Sequence, residues 1–382
     1  MMSRKSKQEL LERVRPRYRR AKKTEKQKIL DEFTCATGYH RKHAIRVLKN
    51  QVQVQNQLKR KTKTYKTIYR GEVVEALAQI WEIYGRICSK RLQPFLPEAI
   101  KVLERCEEIE LAPGTKALLL KISSASIDRC LRAVRLQTPH GLSTTKPGSL
   151  LKNLIPVRTF TEWDEERPGF LEIDLVAHCG NTTAGQFLNT LTCTDLCTGW
   201  TEITGVLHRS QEAVFEAIAR MRHRLPFPLL GIDSDNGGEF INDLLYRYCL
   251  NENITSTRSR PYQKNDQAHV EQKNWSVVRH TVGYDRWETK QELILLESVY
   301  DDLRPYINFF QPSLKLIAKT RIGNQICKRY DTAKTPYLRV LERKDISLEA
   351  KAPLIPAYLQ LNPAELRRRI DQKIANLWKI SR

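Results

Sequence analysis

The 382-residue chain carries 65 Lys/Arg against 43 Asp/Glu, a formal charge of +22, and no apolar run approaches the ~20 residues that a membrane-spanning helix needs. A soluble protein of two to four domains with a polyanionic partner is expected, and no membrane association. The charge is unevenly placed: residues 1–70 hold 22 Lys/Arg and 5 Asp/Glu, or +17, and the remaining 312 residues carry +5.

Residues 1–50 read as a helix-turn-helix DNA-binding unit. Thr24 and Gln27 have capping-box spacing for a helix to about residue 33, with Ile29, Leu30 and Phe33 on one face. Residues 35–38 break it, and a second helix over 40–49 buries Ala44, Ile45 and Leu48. Its other face shows Arg41, Lys42, Arg46 and Lys49, the cations expected to meet DNA. His40 and His43 are followed by no paired cysteines at metal spacing, so they do not read as a zinc site. The nine cysteines include no Cys-x-x-Cys pair. Their odd number, without a secretory signal, fits the reducing cytoplasm.

Residues 51–70 read as a basic linker. From 71 to 135 the helical period returns, with Val74, Leu77, Ile80, Trp81 and Tyr84 as an apolar stripe. Two short helices, 115–121 and 124–135, close this region as either a second helix-turn-helix or a helical spacer. Arg129, Arg132 and Arg135 line the latter helix, and the first two are candidate DNA contacts. Residues 136–156, rich in Pro, Gly and Ser, form a second linker.

The period then turns strand-like. Strands at 170–176, 187–196 and 200–207 with turn-like connections suit an antiparallel meander; Cys193 and Cys197 sit there as small apolar residues. A helix at 211–225, a strand at 229–234, a helix at 239–251, a strand at 254–259 and a helix from about 265 follow. This order gives an α/β ribonuclease H-like fold over 157–312: a mixed five-stranded sheet flanked by helices. Residues 313–382 read as a small basic DNA-contacting region, with a helix starting at Thr335-Pro336. A terminal amphipathic helix carries Leu366, Ile370, Ile374 and Leu377 on one face. It suits either the body of the protein or a second subunit.

Three acids stand out. Asp174 lies inside the first strand among apolar neighbours, where a carboxylate is costly unless paired or metal-bound. Asp235 ends the fourth strand, next to the first, and Glu271 lies early in the helix that follows the fifth. Two divalent cations held by such carboxylates stabilise the attacking and leaving oxygens of phosphoryl transfer. Glu172 shares a strand face with Asp174 and is its rival. Asp233 lies deeper in its strand as a structural acid, Glu239 reads as a first-turn helix acid, and Asp266 as a cap.

The sequence around these acids resembles the DDE integrase core of retroviral integrases and of many insertion-sequence transposases. The carriers are the 35 residues between Asp235 and Glu271 and the stretch Asp235-Asn236-Gly237-Gly238-Glu239-Phe240. One group of those transposases is closer still, through Glu172-Ile173-Asp174-Leu175-Val176-Ala177-His178-Cys179-Gly180, Arg258-Ser259-Arg260-Pro261-Tyr262, Val270-Glu271-Gln272-Lys273-Asn274, Thr37-Gly38-Tyr39-His40-Arg41-Lys42 and Tyr306-Ile307-Asn308-Phe309-Phe310-Gln311-Pro312. The likeness runs from about residue 15 to 345. It implies a transposase of an insertion sequence, with Asp174, Asp235 and Glu271 as catalytic residues and ligands of two magnesium ions, manganese substituting. The implied partners are the element's terminal inverted repeats and target DNA, bound by a homo-oligomer. Lys264, Lys273 and Arg279 surround the third acid as candidate phosphate contacts, and Trp275 suits either the core or a base. The rival expectations are a catalytically silent, sequence-specific DNA-binding protein and a nuclease that cuts without joining.

Overall fold

A computed structural model describes residues 2–49, 68–136, 167–235, 237, 239–240, 243–258, 268–322 and 325–380. Most of the expected linkers, 51–70 and 136–156, lie outside these residues, as do Lys264, Asp266 and the loop 260–264. The chain divides into two units, Met1–Thr67 and Ile68–Arg382.

The first unit holds three helices, α1 (Arg4–Arg20), α2 (Lys23–Thr37) and α3 (Arg41–Lys49). Helical spacing brings Ile29, Leu30 and Phe33 of α2 against Ala44 and Leu48 of α3, and α1 adds Leu11 and Tyr18. Ile45 is only half-buried. Gly38, at φ 68°, makes the turn, in a left-handed conformation that costs a residue without Cβ little. The expected capping box at Thr24 is not formed: α2 opens two residues earlier, behind Lys22, and runs on through 35–37 before breaking.

The second unit begins with α4 (Glu72–Ile83), α5 (Ser89–Arg105), α6 (Pro113–Lys121), α7 (Ser124–Cys130) and α8 (Arg132–Leu136). The expected helix over 124–135 is thus divided at Leu131. On α4 the buried stripe uses Val73 in place of Val74. Residues 71–135, read from sequence as a unit of their own, share a continuous apolar core with the rest. Tyr306 donates to the carbonyl of Ile83 at 2.6 Å, and the Gln311 amide to that of Tyr84 at 2.9 Å.

The sheet comprises β1 (Phe170–Ala177), β2 (Asn189–Asp195), β3 (Thr201–Val206), β4 (Gly231–Ser234) and β5 (Thr255–Arg258) in the order β3-β2-β1-β4-β5. β1, β2 and β3 form an antiparallel meander, and β1, β4 and β5 run parallel. The C-terminal ends of β1, β3, β4 and β5 therefore share one edge. α9 (Gln211–Arg222) follows β3, α10 (Asp243–Asn251) follows β4, and α11 (Ala268–Lys273) follows β5. α11 passes directly into a π-helical segment, Asn274–Arg279, then into α12 (His280–Val282). Strand alternation sorts the faces. Cys193 meets Met221 of α9 at 3.4 Å, whereas Thr190, on the opposite face, bonds Tyr300 of the long helix α13 (Lys290–Phe310). This mixed, helix-flanked sheet agrees with the expected ribonuclease H-like core.

Beyond α13, the basic stretch contains an antiparallel hairpin that its composition did not announce, β6 (Leu316–Ile322) and β7 (Gln325–Tyr330). α14 (Pro336–Glu342), capped by Thr335, α15 (Leu348–Lys351), α16 (Leu354–Gln360) and α17 (Pro363–Ile380) follow. α17 buries the predicted stripe of Leu366, Ile370, Ile374 and Leu377. It docks on the body: Asp302 of α13, 1% exposed, accepts both Arg369 and Lys373 of α17. No helix among the described residues is long and apolar enough to cross a membrane.

Candidate active site

Strand register brings the first two acids together. β1 and β4 pair in parallel through Glu172↔Asp233 and Ile173↔Ser234, so Asp174 and Asp235 follow as the next neighbours. Adjacent strands lie ~4.8 Å apart, which puts the carboxylates side by side. Asp235 accepts the Gly237 N–H at 2.9 Å, a turn that directs it along the sheet edge. Asp174 accepts the N–H of Leu175 at 2.8 Å and the side-chain amide of Asn274 at 2.6 Å.

Glu271 arrives on α11, which packs across β1 and β2. Its position depends on Glu172, the rival acid of the sequence analysis. Glu172 is 1% exposed, and one of its oxygens accepts the main-chain N–H groups of His269 and Val270, each at 3.0 Å. That carboxylate meets the unpaired donors and positive end of the opening turn, leaving Asp174 nearer the other acids. Asp233 is structural as expected: fully buried, it accepts the Thr257 hydroxyl at 2.6 Å across β4 and β5. The π-helical segment then aims Asn274 at β1, buries Val277 and Val278, and leaves Trp275 62% exposed. Such segments are rare and cluster at functional sites.

Burial and the negative charges of Asp235 and Glu271 push the Asp174 carboxyl up to about 7, against the two hydrogen bonds that favour its ionised form. Burial and Glu239 likewise raise Asp235. Glu239 itself does not open a helix as expected. It lies in the turn before α10, 6% exposed, and pairs with Arg209. A Cβ added to Gly237 would lie 2.4 Å from a Glu239 oxygen and 2.8 Å from an Asp235 oxygen, so a side chain there would displace one of those carboxylates.

Hard oxygen donors whose negative charges raise one another's proton affinity fit a divalent cation in kind. They do not form a closed cage: among the described residues, no three His, Cys, Asp or Glu side chains gather closely enough to hold one ion. Asp174 is turned toward Leu175 and Asn274, while Glu271 is exposed.

No protein-family model matches the chain. It is 42% identical to the uncharacterized protein y4rM of Sinorhizobium fredii over 333 residues, 87% of this chain and 94% of the relative. The chain belongs to the y4rM family. Among solved structures, this y4rM-family chain is similar to the catalytic core domain of BIV integrase (18% identity, covering 46% of this chain and 94% of that one, TM-score 0.31). It is also similar to the HTLV-2 integrase catalytic core domain in complex with magnesium (14% identity, 38% and 90% coverage, TM-score 0.29).

The cations of the y4rM-family chain divide by setting. In the first unit, Arg41, Lys42, Arg46 and Lys49 are exposed on α3; Arg41 pairs with Asp31, and Arg46 lies 3.0 Å from His43 Nδ1. Arg129 and Arg132 are exposed on α7 and α8, with Arg129 bonded back to Ala125 and Ser126 of its own helix. Near Glu271 the arrangement differs from that expected. Arg279 donates to the carbonyls of Ala177 at 2.6 Å and Gly283 at 3.4 Å and lies over the Tyr284 ring, fastening the helix to the end of β1. Lys273 is half-buried, and burial together with the charges of Arg91 and Arg339 lowers its ammonium to about 8.

Sequence reasoning missed Asn274 as a partner of Asp174, although it stands three residues after Glu271, on the same side of a helix. It missed Arg209 altogether. A lone arginine between a strand and a Ser cap carries no pattern, and its partner Glu239 is 30 residues away.

Proposed function

We propose that this protein is a DNA transposase of an insertion sequence, acting by metal-dependent strand cleavage and strand transfer. The observation that supports this reading is the parallel pairing of β1 and β4 up to the residues just before Asp174 and Asp235, with the Asp174 carboxyl raised by burial and by the charges of Asp235 and Glu271. The exposed basic face of α3 supports DNA docking by the first unit.

Asp174, Asp235 and Glu271 would hold two magnesium ions. Bound there, magnesium supplies Lewis-acid stabilisation of the attacking and leaving oxygens. Asp174 gives up any proton it holds when it takes on this role. Asn274 and the Leu175 N–H orient its two oxygens, and Glu172 fixes the turn that presents Glu271. Water first attacks a phosphodiester at the element's end and releases a 3′-hydroxyl. That hydroxyl then attacks target DNA in line. The phosphorus exchanges one oxygen for another in each step, so no covalent protein–DNA intermediate is required. Two ends must be held together for this chemistry, which calls for a homo-oligomer on DNA.

The test is to incubate the full chain with its flanking inverted repeats, a target duplex and magnesium. Cleavage followed by joining is expected. Cleavage without joining would identify a nuclease, and binding without cleavage a silent DNA-binding protein.

A further inference from the structure

We propose that Arg209 is a phosphate-binding residue of this same site, steadied by Glu239 so that it meets the phosphodiester to be cut. This role rests on the transposase reading above.

Three observations place it there. Arg209 lies between the end of β3 at Val206 and Ser210, the N-cap of α9, at the sheet edge where β1 and β4 also end. Its Nη2 donates to Glu239 Oε1 at 2.5 Å, and Gly237 fits between that carboxylate and Asp235. The guanidinium is thereby brought beside the acidic cluster from the far side of the sheet. Finally, the pair is asymmetric: the Glu239 side chain is 5% exposed and the Arg209 side chain 55%. Glu239 is the fixed member, and Arg209 extends from it toward solvent.

Chemistry supplies the reason. Asp174, Asp235, Glu239 and Glu271 together repel a polyanion; of the cations expected near Glu271, Arg279 is bonded to the Ala177 carbonyl, Lys273 is half-buried with its ammonium lowered, and Lys264 lies outside the described residues. A guanidinium presents several donors in one plane, so it can keep one on Glu239 while others bond phosphate oxygens. An ordinary surface ion pair would contribute little to stability and nothing to DNA binding. Burial opposes the Arg209 charge, but the Glu239 hydrogen bond and the charges of Glu239, Asp235 and Asp174 more than offset it, so the residue stays cationic.

The test couples a change in the protein to a change in the DNA. Element-end duplexes, each with one uncharged methylphosphonate walked across the terminal phosphates, are titrated with full-length wild type, R209Q and R209K. Calcium is used so that binding is measured without turnover. At the cleaved position, the methylphosphonate is expected to weaken wild-type binding roughly tenfold, as for loss of a charge-assisted hydrogen bond, and to weaken R209Q binding much less. R209K, which keeps the charge without the fork, is expected to fall between them. Independent, multiplying losses at every position, in a wild-type protein that cuts ordinary ends, would overturn the role of Arg209 alone. A wild-type protein that does not cut would overturn the transposase reading and this role with it.

Discussion

Glu172 accepts the main-chain N–H of Val270 at 3.0 Å from a side chain that is 1% exposed, tying β1 to the helix that carries Glu271. The same oxygen takes the N–H of His269. The two strand-borne acids thus differ in setting, with Asp174 beside Asp235 and Glu172 beneath the helix.

Removing that acceptor takes the partner from two main-chain donors, the Val270 N–H in a buried setting and the His269 N–H in a part-buried one. E172A is expected to cost about 1–3 kcal/mol in denaturant unfolding. It should also lower the cleavage rate by more than it weakens end binding, whereas E172Q, which keeps an acceptor oxygen, should restore much of both. Full cleavage by a destabilised E172A would show that the contact is structural only.

The three acids make a sharper prediction. D174N, D235N and E271Q should each abolish cleavage and joining while leaving end binding within a few-fold of wild type, as judged by gel-shift and product assays. Ordinary activity in any one of them removes that residue from the site.

The raised Asp174 carboxyl sets a pH dependence. Its folded value of about 7 lies above its ordinary value of 3.8, so between those limits the folded protein keeps a proton that the unfolded chain has lost. Stability should therefore fall as pH rises through that window, by at most about 4 kcal/mol from this group. A cation competes with the same proton, so magnesium should raise the melting temperature more at pH 8 than at pH 6. Glu202, also raised to about 7 by burial, titrates in the same range. The comparison with D174N isolates the Asp174 part, and an equal magnesium effect at both pH values would contradict it.

Residues 1–70 carry most of the excess charge. Deleting them should weaken end binding and flatten its dependence on salt, because fewer counterions are released from the DNA. Affinity measured across a salt series reads this directly. An unchanged slope would place the docking surface elsewhere.

Much of this architecture was legible in the chain. Alternation and turn residues marked β1 to β5 to within a few residues, and the α17 stripe of Leu366, Ile370, Ile374 and Leu377 is the one that is buried. Local pattern could not assign the partners of charged side chains. Glu172 and Asp174 have the same strand parity and similar neighbours, and what separates them is a helix about 100 residues later. Glu239 read as a helix acid because its spacing fits one, yet Arg209 holds it in the preceding turn. The β6–β7 hairpin escaped notice because its basic residues suggested a DNA-contacting surface without revealing the strand pairing.

The docking of α17 on α13 has a consequence for synthesis. At ~5–20 residues per second, the ribosome reaches α17 roughly 3–10 seconds after it completes α13. Until then Asp302 lacks Arg369 and Lys373, and the face of α13 that α17 covers is bare. A nascent chain can therefore hold its basic first unit and all three acids while this side of the body is still open. Closure of this face waits on translation of α17.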